Sequence, residues 1–159
     1  MILILLGTQD KPFTRLLDAV QKQIDKGKIK DKIIVQAGCT KYNSKDMEIF
    51  DLIPVDEFKN LVKKADLIIT HGGVGSIMEG INNGKHIIAA PRLKKYNEHV
   101  NDHQIQIIDE FTKLGYILPL KDFNKLDKLI LKASKMKPKK FESNTNHMIS
   151  IIEKYIDSI

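Results

Sequence analysis

Apolar runs of strand length alternate along this chain with amphipathic stretches of helix length, and that alternation leaves few architectures open. The runs are Ile2 to Leu6, "KIIVQAG" (Lys32 to Gly38), "IFDLIP" as a short extended piece, "DLIIT" (Asp66 to Thr70), "KHIIAAP" and "YILPL". Between them, Phe13, Leu16, Leu17, Val20 and Ile24 share one helix face that stops at Gly27. Phe58, Leu61, Val62 and Ala65 line a second helix beginning at Pro54, where the missing N–H would have been unpaired anyway. A third helix is expected from about Val74 to Asn83, stopping at Gly84, and a fourth carries Ile105, Ile108, Phe111 and Leu114 up to Gly115. Strands separated by helices of this length are not joined as hairpins. They imply βαβ units, a mainly parallel sheet and helices on both faces.

The chain has 159 residues, enough for one such domain and its core, and its 42% apolar and 29% charged residues are those of an ordinary soluble protein. The opening "MILILL" has no basic region before it and is too short for a signal peptide or a membrane span, so it reads as a buried first strand. The single Cys39 excludes an internal disulfide framework and fits a reducing cytoplasm. The net charge of +6 gathers late, at Lys125, Lys128, Lys132, Lys135, Lys137, Lys139 and Lys140. Without interleaved aromatics, and with almost no arginine, this cluster argues against a nucleic-acid partner. A solvated surface, or attraction to anionic lipid or an acidic partner, stays open. Past the linker-like "KMKPKK", Phe141, Met148, Ile151, Ile152, Tyr155, Ile156 and Ile159 give a last helix an apolar stripe. The expected division is a domain over 1–140 and a C-terminal helix over 141–159 that packs on the parent sheet or on another chain.

Open α/β sheets bind ligands outside the carboxyl ends of their strands, here Gly7-Thr8, His71 to Ser76 and Arg92 to Gln104. In "THGGVGSIMEG" the chain leaves a strand and enters a helix through Gly72, Gly73 and Gly75. Glycines allow a tight turn and a close backbone approach, and a new helix offers free N–H groups and the positive end of its dipole. Ser76 can add a hydroxyl donor, and Glu79 can accept from vicinal sugar hydroxyls; alternatively both are plain capping residues. The loop lacks the Gly-Lys-Ser/Thr of a Walker A motif. Its G-G-x-G spacing, in mid-chain, is also not the dinucleotide fingerprint. A phosphate-bearing ligand survives this test; NAD and ATP by their usual motifs do not.

The stretch "YNEHVNDHQ" sets His99 and His103 four residues apart, with Glu98 and Asp102 close by. A zinc site could use His99, Asp102 or His103 with Glu98 as a base. However, Glu98 precedes His99 instead of following it, and no distant third ligand is evident beyond His86.

Over Gly7-Thr8 to about Ile117, and most closely in its HGG-x-GS-x-x-E and N-D-H-Q segments, the chain resembles the C-terminal domain of the glycosyltransferases that make lipid-linked sugars (glycosyltransferase family 28). At this length it is most similar to the donor-binding subunit of enzymes split into two polypeptides, as in dolichol-linked glycan synthesis and bacterial capsule or exopolysaccharide synthesis. The resemblance implies a Rossmann-like domain, the C-terminal half of GT-B, holding a UDP-sugar. By position, the backbone around Val74, Gly75 and Ser76 would meet the diphosphate, and Glu79 the ribose hydroxyls. Asn97, Asp102, His103 and Gln104 would face the donor sugar, Gly7 and Thr8 the interdomain cleft, and Ile53 the uracil through its backbone. His71 opens the glycine loop at a matching position with its role open. The implied chemistry is inverting transfer without a bound metal or other cofactor. The catalytic base would come from a membrane-associated acceptor-binding partner that also holds a polyprenyl-diphosphate-linked sugar. The chain alone would then have little activity and would sit at the cytoplasmic face of the membrane through that partner. A nucleotide-sensing or scaffold module on the same fold is the rival from another class.

Overall fold

The computed structural model describes residues 1–143 together with 149, 150, 153 and 156. Its strands are β1 (Ile2–Leu5), β2 (Ile33–Gln36), β3 (Glu48–Phe50), β4 (Leu67–His71), β5 (His86–Ala90) and β6 (Leu118–Pro119). The helices are α1 (Thr14–Asp25), α2 (Val55–Lys64), α3 (Val74–Asn82), α4 (His103–Lys113) and α5 (Leu126–Lys135). All neighbouring strands run parallel, in the order β3-β2-β1-β4-β5-β6. The parallel sheet is the one expected from the alternation, and its strand order is the doubly wound, Rossmann-like one that the family resemblance implies.

Side chains alternate across the strands as a sheet buried on both faces requires. Ile2, Ile4, Leu6, Ile33, Val35, Leu67, Ile69 and Ile88 face one layer, with Leu16, Leu17 and Val20 of α1 and Leu126 and Ala133 of α5. On the other face Leu3, Leu5, Ile34 and Ile68 meet Val62 of α2, while Ile87 and Ala89 meet Ile77 and Ile81 of α3 and Ile108 of α4. Helices therefore cover both faces. The sheet ends in short strands, three residues in β3 and two in β6, the latter including Pro119.

The sequence reading places no helix between "YILPL" and "KMKPKK", and α5 fills that interval. Leu126, Leu129, Ile130 and Ala133 of α5 are spaced as one helix face and all pack on the core. The lysines between them mask this spacing in the sequence. Of the expected C-terminal stripe, Met148, Ile151, Ile152, Tyr155 and Ile159 lie outside the described residues. Phe141 and Ile156 are exposed, and residues 149, 150, 153 and 156 are helical. Among the described residues, no helix is long and apolar enough to cross a membrane.

Candidate functional site

β1 and β4 are neighbours, but the chain leaves β1 for α1 on one face and β4 for α3 on the other. The two loops diverge and open a crevice at the carboxyl end of the sheet. Gly7 stands on one side of it and His71-Gly72-Gly73 on the other.

His71 ends β4 and is buried. Its Nδ1 lies 3.2 Å from the Leu5 carbonyl, which can only accept, so Nδ1 carries the proton and Nε2 presents a lone pair. Burial, with smaller contributions from Arg92 and His99, pushes its pKa down to about 4, so the ring is neutral near pH 7. Glycines clasp it. A Cβ on Gly7, whose φ is +76°, would lie 2.6 Å from Nε2, and one on Gly73 would overlap the same atom. At Gly72 a Cβ would come within 2.7 Å of Gln104 Cβ. The packing around His71 and Gln104 therefore demands Gly7, Gly72 and Gly73. Gly75 differs: a Cβ there meets nothing within 4 Å.

Beyond this clasp α3 begins without a side-chain cap. Helix geometry leaves the N–H groups of Val74, Gly75 and Ser76 without intrahelical acceptors, and Val74 and Gly75 are exposed. The capping alternative for Ser76 and Glu79 is thereby excluded. Glu79 instead accepts from Asn83 Nδ2 at 3.0 Å, one turn further on, which orients its partly exposed carboxylate. Three unused donors at the positive end of a helix form a seat for an anion.

The adjoining wall is built from the loop after β5 and the loop after β1. Arg92 is fully buried. Its Nη1 donates to the carbonyls of Lys11 (2.6 Å) and Glu98 (3.2 Å), and its Nη2 to that of Leu6 (2.5 Å). Its Nε has no partner among the described residues. Glu98 is also buried and takes a bidentate pair from Arg15, Nε to Oε1 at 2.8 Å and Nη2 to Oε2 at 2.7 Å. Oε2 further accepts the Leu93 N–H at 3.0 Å. The Arg15 guanidinium lies over Phe123 (4.0 Å) and Tyr96 (4.6 Å). Lys11 Nζ donates to Asn97 Oδ1 at 2.7 Å, and the Gln9 amide lies 3.0 Å from His99 Nε2.

These contacts locate each residue of "YNEHVNDHQ". Glu98 is a structural anchor, so a role as free base is unavailable to it. Asn97 adopts a left-handed φ of 56° as it closes the turn over Lys94–Tyr96. His99 is buried; its Nδ1 accepts the Asn101 N–H, and burial followed by His103 lowers its pKa. Asp102 precedes α4, but its Oδ1 accepts the Lys94 N–H at 2.8 Å, so Asn101 caps the helix by accepting from the His103 N–H. His103 is exposed, meets His99 edge-to-face, and its Nδ1 closely contacts Asn101 Oδ1. Gln104 is buried, and its Oε1 accepts the N–H groups of both Gly72 (3.2 Å) and Arg92 (3.0 Å). It braces the glycine loop against the wall. No group of three or more His, Cys, Asp or Glu placed to hold a metal ion occurs among the described residues.

Thr8 is exposed beside Gly7. Ile53 lies across the sheet, after β3; its side chain is buried and its N–H is taken by Gln36 Oε1 at 3.3 Å. A base contact through this residue's backbone would have to use its carbonyl. A cavity of about 300 Å³ lies at the opposite end, among Ile2, Leu67, His86 and Ile130. The anion seat itself is an open face. Sequence reasoning missed Arg15, and it named Arg92 only as the start of the Arg92 to Gln104 segment, with no role for its side chain. Their one available signal was scarcity, since they are the only arginines in the chain.

Known proteins share this fold. The sequence pattern of the glycosyltransferase family 28 C-terminal domain matches residues 1–159. The UDP-N-acetylglucosamine transferase subunit ALG13 of Candida albicans is 26% identical over 113 residues, covering 71% of this chain and 37% of that protein. The matched stretch thus spans well under half of that relative. Among solved structures, the kitacinnamycin glycotransferase superposes with a TM-score of 0.62 at 15% identity, over 86% of this chain and 35% of the other. The solution structure of ALG13 superposes with a TM-score of 0.55 at 20% identity, over 95% of this chain and 93% of the other. At such identities the superpositions speak for the fold, and the pattern match over the full length speaks for descent. This chain belongs to the glycosyltransferase family 28 C-terminal domain family.

Proposed function

We propose that the chain is the UDP-sugar-binding subunit of an inverting hexosyltransferase. In this reading it works with a membrane-associated partner that holds a polyprenyl-diphosphate-linked acceptor in bacterial capsule or exopolysaccharide synthesis. The observation that carries the proposal is the uncapped start of α3, with its three free N–H groups at the switch point of the sheet. A diphosphate fits there, and Glu79, one turn along α3, is the group for the ribose hydroxyls. Asp102 and His103, exposed at the start of α4 next to Gln104, are the groups for a sugar beyond the diphosphate. When an acceptor oxygen attacks the anomeric carbon and UDP leaves from the opposite face, negative charge grows on the diphosphate. Fixed N–H donors and the helix dipole stabilise that charge without reorganising.

Partner dependence is supported by the openness of the seat and by the description of the Candida albicans relative as a transferase subunit. Titration calorimetry with UDP, UDP-GlcNAc, UDP-glucose, UDP-galactose and UDP-glucuronate tests the binding half. UDP should bind, and one sugar should improve on it. Failure of every uridine ligand to bind, with the partner present, would overturn the reading. Robust transfer by the single chain, unchanged on adding the partner, would overturn the subunit assignment alone.

A further inference from the structure

All of the chain's net charge sits on a tenth of its length. Residues 125–140 hold seven lysines against Asp127 alone, a balance of +6 that equals the charge of the whole chain; the other 143 residues carry nineteen basic and nineteen acidic side chains. An evenly solvated lysine-rich surface would not be partitioned in this way.

The fold turns the helical part of this segment into a face. Leu126, Leu129, Ile130 and Ala133 dock α5 on the core, so Lys128, Lys132 and Lys135, at i, i+4 and i+7, stand together on the outside and are all exposed. Leu131 projects among them, 58% exposed; past the helix the chain turns to Tyr116, whose ring lies 6.2 Å from that of Phe141 and under Lys139. Lys125 is paired with Asp122 at 3.3 Å, and Lys139 donates to the Leu114 carbonyl. Lys128, Lys132, Lys135, Lys137 and Lys140 form no ion pair with any described residue.

We propose that the outer side of α5 docks directly on an anionic lipid bilayer. The chemistry favours lipid over other polyanions. Nucleic-acid surfaces rely on arginine and on aromatic platforms, and residues 125–140 contain neither. A structured acidic protein calls for rigid aromatic or arginine anchors that fix a register. Flexible lysines around one projecting leucine suit a fluid, negatively charged surface with no register to match. The face also has a defined orientation. α5 starts beside Phe123, beneath Arg15 at the carboxyl end of the sheet. It ends where Ala133, Met136 and Lys137 share a cavity with Lys85 and His86 at the amino end of β5. The helix thus runs along the strands. Docking by its outer side lays the strands parallel to the bilayer and opens the anion seat sideways, along the membrane.

The proposal stands independently of the UDP-sugar reading. Its test is flotation of the full chain with vesicles of phosphatidylcholine, alone or mixed two to one with phosphatidylglycerol. The chain should float only with the anionic vesicles, and less as salt rises. K128E/K132E/K135E should weaken binding by about 100-fold or more, at roughly fivefold per lysine. K59E/K63E/K64E on α2, with the same change in charge, should stay within a few-fold of the parent. Circular dichroism checks folding, and K128Q/K132Q/K135Q replaces the glutamate variant if that one does not fold. UDP titration should be unchanged in every variant. The proposal is overturned if the parent chain ignores anionic vesicles, if both glutamate variants lose binding equally, or if duplex DNA binds as tightly as the vesicles at the same salt.

Discussion

The loop from β5 to α4 and the loop from β4 to α3 lie side by side, but their polar groups are treated in opposite ways. In the first, Arg92 fastens three backbone carbonyls, Glu98 takes Arg15 and the Leu93 N–H, and Asp102 takes the Lys94 N–H. In the second, the start of α3 has no side-chain cap, and its first N–H groups face solvent. Buried polar groups must find partners inside the protein, whereas exposed ones can rely on water until a ligand displaces it. The wall is therefore braced from within, whereas the donors beside it are turned outward. Gln104 joins the two, since its one amide oxygen accepts from Gly72 on the seat and Arg92 on the wall.

The largest expected effect belongs to the wall. Arg92→Met would leave the carbonyls of Leu6, Lys11 and Glu98 without their donor, at about 1–3 kcal/mol for each buried group. Denaturant unfolding should show a loss of about 4 kcal/mol. A loss below 1 kcal/mol would mean that the wall does not hold the loops. Next comes acid. The unfolded chain protonates His71 near its ordinary pKa of 6.5, and the folded chain only near about 4. Between those values the unfolded state binds more protons, so stability falls as pH falls. The effect is absent above 6.5 and complete below about 4, where it reaches about 3 kcal/mol; His99, lowered by its own burial, adds in the same direction. His71→Asn keeps a donor for the Leu5 carbonyl and should flatten this slope in unfolding measured across the range; an unchanged slope would place the proton uptake elsewhere.

The smallest effect on stability separates seat from wall most sharply. Gly75 has open space where a Cβ would go, so Gly75→Ala should fold normally and gain up to about 1 kcal/mol from helix propensity. UDP affinity should nevertheless drop tenfold or more, because the methyl group occupies the approach to the N–H donors. Parental affinity in this variant would remove the glycine loop from the phosphate site.

Legibility in the sequence follows the same division. Strand and helix order could be read because periodicity is local: Ile2 to Leu6 and Asp66 to Thr70 announce themselves without reference to anything distant. The glycine loop was legible too, although only Gly75 has the freedom that all three glycines suggested. α5 is hard to read from sequence because the seven lysines of residues 125–140 crowd the i, i+3, i+4, i+7 spacing of Leu126, Leu129, Ile130 and Ala133. The Arg15–Glu98 pair spans 83 residues, and Arg92 reaches Leu6 across 86. Nothing local predicts such partners, since only the strand order brings them together. Gln104 is a similar case. Its position beside the crevice followed from the motif, whereas its double acceptor role depends on where β4 and β5 end.

The brevity of β3 and β6 also governs how this molecule can associate. A sheet edge offers unpaired N–H and C=O groups to any passing strand, and long edges invite end-on growth into aggregates. Here one edge is three residues long, and the other is two, one of them a proline with no N–H to give. Neither edge offers room for strand addition. Assembly with another chain must therefore be negotiated through helices and loops, and the sheet stays a closed unit however many neighbours gather around it.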